Sequence, residues 1–185
     1  MQSEIEQAID EDRLDVLEQL YASQQADMSH ALQYAASMGH LFGVRYIHQQ
    51  VDGIDIKEYE EAAVNACQTE NWDIVHYLID RELVRLLDIL GAAIHHGFDS
   101  TIHHFLEIPE GLEHHEWQVV LHSAIRRHNN SIALHLVHSD LNLNLNEAYE
   151  IAREEGTDYI ETILRARVHP YPLLEPDRRY PHGKL

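Results

Sequence analysis

The chain's 185 residues suffice for one domain with a sizeable core, and its 44% apolar content excludes wholesale disorder. Thirteen Lys and Arg against 32 Asp and Glu leave a net charge of −19, which disfavours direct nucleic-acid binding and would steer a basic protein surface toward the chain. No apolar run reaches the roughly 18 residues of a membrane span, the first residues lack the look of a secretory signal, and the lone Cys67 excludes an internal disulfide framework.

In chain order the sequence predicts six helix–turn–helix units, each centred on a turn residue: Asp12, Gly39, Glu70, Gly97, His128 and Glu155. Fixed offsets from these residues carry fixed chemistry. Four before stand Ala8, Ala35, Ala66, Ala93, Ala124 and Ile151, and three before stand Ile9, Ala36, Cys67, Ile94, Ile125 and Ala152. Five after come Leu17, Val44, Val75, Ile102, Ala133 and Ile160, and eight after come Leu20, Ile47, Leu78, Phe105, Leu136 and Ile163. All are apolar, at the spacing that lines one side of a helix. Such a helix pair cannot bury its stripe alone, so neighbouring pairs must cover it, which predicts an all-α helical solenoid over residues 1–168.

The turn residues alternate at 27 and 31 residues, a double period of 58 in which Gly53 matches Gly111, Asp55 matches Glu113 and Tyr59 matches Trp117. The extra residues are expected in two long loops, Gln49–Glu58 and Glu107–Glu116, the second holding Pro109. Asp55 with Glu58, and Asn144 with Glu147, read as capping boxes opening first helices. Asn71, Asp99, Asn130 and Thr157 stand where second helices should start. From His169 the character changes: four of the five prolines lie in residues 169–185, which predicts an extended proline-rich arm with Arg178, Arg179 and Lys184.

The second unit, with Ala35-Ala36, Gly39-His40 and Val44-Arg45-Tyr46-Ile47, resembles the ankyrin repeat. The third, Ala66-Cys67 through Asn71-Trp72-Asp73-Ile74-Val75-His76-Tyr77-Leu78-Ile79, resembles the same consensus with its turn glycine lost. The Thr-Pro-Leu-His opening and the Gly-Ala-Asp-Val-Asn finger of that family are absent, so its β-hairpins are expected to be reduced to plain loops. The resemblance implies a cytoplasmic, non-catalytic module that binds another protein. In its sharper form the module is an inhibitor or effector, acting in a host cytosol if secreted.

Partner contacts are expected at the two long loops. These offer the carboxylates Asp52, Asp55, Glu110 and Glu113 beside the aromatics Tyr59 and Trp117, a residue type that packs repeats or anchors interfaces. A partner with a basic surface is expected. No nucleophile elbow, phosphate loop or kinase signature appears, so no catalytic residue or cofactor is assigned. Ten of the sixteen histidines fall between His95 and His138, but no His-Glu-x-x-His and no cysteine pair accompanies them, so no metal ligand is assigned. Two alternatives stand beside the leading one. One is an acidic nucleic-acid mimic that blocks a DNA- or RNA-handling enzyme. The other is a metal- or pH-responsive protein built on the histidines, whose full protonation would move the net charge from −19 to −3.

Overall fold

The computed structural model describes residues 2–23, 27–108 and 111–169 and is all-helical, with no strand among the described residues. Among the described residues twelve helices follow in order: α1 (Gln2–Asp10), α2 (Leu14–Ala22), α3 (Met28–Met38), α4 (Leu41–Gln50), α5 (Ile56–Gln68), α6 (Trp72–Asp80), α7 (Leu86–His96), α8 (Asp99–Leu106), α9 (His114–Arg126), α10 (Asn130–His138), α11 (Leu145–Glu154) and α12 (Asp158–Val168). The chain divides into two compact units, Met1–Glu113 with four helical hairpins and His114–Leu185 with two. The arm beyond His169, residues 170–185, lies outside the described residues, as do Pro109 and Glu110.

The turn between paired helices is the same device six times. A left-handed residue closes each first helix: Asp12, Gly39, Glu70, Gly97, His128 and Gly156, with φ between 51° and 82°. The next N–H donates five residues back, from Arg13, His40, Asn71, Phe98, Asn129 and Thr157 to Ala8, Ala35, Ala66, Ala93, Ala124 and Ala152, at 2.7–3.0 Å. This six-to-one bond satisfies carbonyls that the helix end would leave unpaired. Five of the six turn residues are those the spacing predicts. The last is Gly156, not Glu155, because the backbone bond runs to Ala152 and sets the register one residue later.

The alternation of 27 and 31 residues has only in part the cause expected. α5 and α9 have 13 residues each against 11 in α3 and α7, which takes up two of the four added residues; the connection at 51–55 is no longer than that at 81–85, whereas that at 107–113 is two residues longer. The first long loop is therefore absent and the second is present. Asp55 precedes α5 but makes no side-chain cap. Asn144 does cap α11, its Oδ1 accepting from the Glu147 N–H at 3.3 Å.

Within Met1–Glu113, first helices pack on first helices, α1 on α3, α3 on α5 and α5 on α7, while α4 packs on α6. Alanine makes the approach possible: Ala31, Ala35, Ala62, Ala63 and Ala66 are fully buried. The approach within a hairpin is as close, since a Cβ on Gly43 would stand 3.3 Å from that of Ala35. Within His114–Leu185, α9 packs on α11 and α10 on α12. Of the 24 apolar positions predicted for the core, only Leu20 and Ile163 are not buried. Beside Ile163, Leu164 is wholly buried, as the shifted register requires.

Candidate binding groove

Positions five and six before each turn residue decide how first helices meet. Between α1 and α3, long side chains cross the gap. His30 Nε2 lies 3.1 Å from Glu6 Oε1, and Tyr34 Oη donates to the Asp10 carboxylate at 2.9 Å. Between α3 and α5, Asn65 Nδ2 donates to Gln33 Oε1 at 2.6 Å, and Gln33 Nε2 donates to Glu61 Oε2 at 3.2 Å. The equivalent residues of α7 are Gly91 and Ala92, too short to cross. A Cβ on Gly91 would meet nothing within 4 Å.

A groove of about 600 Å³ opens there, reaching from α3 across α5 to α7. Its apolar lining comes from Val64, Val84, Ile89 and Ala92. Val84 and Ile89 are buried and form the floor. Gln33 of α3, Glu60, Glu61 and Asn65 of α5, and Asp88 and His96 of α7 supply the polar lining. Asp88 accepts from Arg85 Nε at 2.7 Å and Nη2 at 2.8 Å. That hydrogen-bonded guanidinium holds the Asp88 carboxyl below the usual carboxylate range and more than offsets the opposing effect of burial. An apolar cleft edged by carboxylates suits a large apolar side chain with a cation beside it.

No family model, curated protein or solved structure matches this chain.

The residues predicted from sequence lie elsewhere. Asp52 and Asp55 are exposed next to α5, Asp52 offering its backbone N–H to Tyr21 Oη at 3.4 Å, and neither lines the groove. Glu113 is exposed at the end of the first unit, and Glu110 is outside the described residues. Tyr59 and Trp117 are only 6% and 3% exposed. Both stand in the first turn of the lengthened helices, and Tyr59 meets the His48 ring edge-on at 6.0 Å. Burial makes them packing residues and removes them from the contact surface. The overlooked signal was the small pair Gly91-Ala92, at positions where the third unit carries Val64-Asn65 and the second Gln33-Tyr34.

Elsewhere the chemistry is quiet. Burial pushes the Cys67 thiol up to about 11, far from a reactive thiolate, with the nearby Thr101 hydroxyl opposing the shift. Among the described residues no three of His, Cys, Asp and Glu converge where they could hold a metal. No described helix is long and apolar enough to cross a membrane.

Proposed function

We propose that the chain is a non-catalytic protein-binding module, a solenoid of six divergent ankyrin-like hairpins whose α5–α7 groove takes a basic segment of a partner protein. The groove carries this reading: its apolar floor lies beside Glu60 and Glu61, the complement of a segment that sets Lys or Arg beside a large apolar residue. The repeated left-handed turn, the six-to-one bond onto an alanine and the packing of first helix on first helix support the ankyrin-like reading of the hairpins. The −19 charge would steer a basic partner toward the chain. The sharper form is an inhibitor or effector that occupies the partner's basic site.

Selection of a random peptide library on the full chain tests the proposal. The enriched peptides should combine a large apolar residue with neighbouring Lys or Arg. Their affinity should fall by about tenfold or more when salt rises from about 0.05 to 0.5 M. No enriched motif, or binding indifferent to salt, would overturn it.

A further inference from the structure

Away from the groove, two imidazoles meet point to point. His76 of α6 and His104 of α8 present their Nε2 atoms to each other at 2.9 Å. Both rings are half-buried and braced by aromatics. His104 stacks on Trp72, centroids 4.4 Å apart and planes within 8°, and meets Phe105 edge-on at 5.1 Å. His76 meets the same Phe105 edge-on at 5.4 Å. The rings therefore hold their nitrogens in place with little freedom left to lose on binding.

Two imidazoles on one tetrahedral ion, with bonds of about 2.0–2.1 Å, place their nitrogens about 3.3 Å apart. The observed separation is short of that by a few tenths of an ångström, which a small side-chain rotation supplies. Burial chiefly, and then His76, lower the His104 pKa, while the negative charge of Glu107 at the end of α8 opposes them and would favour a cation. We propose that His76 and His104 form a two-imidazole site for a divalent transition-metal ion of the zinc, nickel or copper class, with water completing the coordination. In the metal-free pair one Nε2–H donates to the other Nε2. On binding, both neutral rings carry their proton on Nδ1 and both Nε2 lone pairs go to the metal, so a tautomer shifts without net loss of a proton.

The test is calorimetric titration of the full chain with zinc chloride, and separately nickel chloride, at pH 7.5 in a buffer that does not chelate. A single saturable phase of one ion per chain is expected. It should weaken by about tenfold or more in His76→Asn and in His104→Asn, and persist in the His95→Asn/His96→Asn double variant, which removes two histidines from the last turn of α7. Circular dichroism checks that each variant is folded. The wild type gives an independent reading: substoichiometric copper(II) should broaden the proton resonances of His76 and His104 before those of other histidines. Absence of a saturable phase, a phase unchanged in His104→Asn, or uniform broadening of all histidines would overturn the proposal.

Discussion

Asn71 ties two hairpins together: its Nδ2 donates to the Ala36 carbonyl at 3.0 Å and to the Ser37 carbonyl at 3.2 Å, across to the last turn of α3. The residue that opens α6 thus satisfies carbonyls that α3 leaves unpaired. The same side chain roofs the turn glycine, since a Cβ on Gly39 would stand 2.8 Å from Asn71 Oδ1 in a backbone with φ of +82°. Asn71→Ala should cost about 1–2 kcal/mol. Gly39→Ala should cost about 2 kcal/mol or more, since left-handed strain adds to the clash. Urea unfolding checks both, and a neutral Gly39→Ala would show the contact to be loose.

Thr101 offers the opposite case. Its hydroxyl is wholly buried with no oxygen or nitrogen to bond, and only the weak Cys67 thiol lies beside it. The equivalent positions of other units carry Val16, Ile74 and Ile132. Replacing an unsatisfied hydroxyl with a methyl of the same shape removes a desolvation penalty, so Thr101→Val should stabilise the protein by about 1 kcal/mol. A lower melting temperature for the variant would contradict this.

Glu70 and His128 occupy the left-handed turn position with φ of 59° and 55°. An L side chain there costs about 1–2 kcal/mol, from which glycine's greater freedom in the unfolded chain subtracts about half. Glu70→Gly and His128→Gly should each stabilise by about 0.5–1 kcal/mol, read from denaturant midpoints at unchanged slope. Destabilisation by either would mean that the side chain contributes more than its backbone costs.

His122 should make the second unit sensitive to acid. Gln118 is locked by Asn144, its Oε1 accepting from the Asn144 N–H at 2.7 Å and its Nε2 donating to the Asn144 carbonyl at 3.3 Å. That Nε2 also faces His122 Nε2 at 2.7 Å, so the imidazole must accept there and stay neutral. Burial lowers the His122 pKa chiefly, Arg126 adding to the effect and Glu147 opposing it. A depressed folded value means that the unfolded chain takes up the proton first. Stability is therefore whole above the unfolded value of about 6.5 and is lost as pH falls below it. Proton resonances of His122 should titrate with a midpoint below that value; a midpoint above it would contradict the arrangement.

Much of the fold was legible because its determinants are local and repeated. An alanine four before a turn and apolar residues five and eight after it need only one hairpin's geometry to be interpreted. The slip at Glu155 arose where Ile151 and Ala152 are both buried, so the apolar pattern alone tolerates either register and only the bond from Thr157 to Ala152 decides. Tyr59 and Trp117 stand at matching positions in the first turn of α5 and α9 and not beside loops, because residues inserted near a loop–helix junction read the same in sequence whichever side they join. The groove was hidden for another reason. It exists through what Gly91 and Ala92 lack, which matters only once α5 and α7 are side by side. The His76–His104 pair likewise joins two hairpins, out of reach of the single-helix spacings by which metal sites are sought in a sequence.

A partner that binds in the α5–α7 groove must respond to changes made there and not to equal changes elsewhere. The most direct measurement is the affinity of a selected basic peptide for the full chain and three folded variants. Ala92→Trp fills the groove. Glu60→Lys/Glu61→Lys reverses its charge, and Asp52→Lys/Asp55→Lys makes the same change in net charge away from it. The first two should weaken binding by about tenfold or more, while the third leaves it within about threefold. Equal loss in the two lysine variants, or undiminished affinity in Ala92→Trp, would contradict binding in the groove.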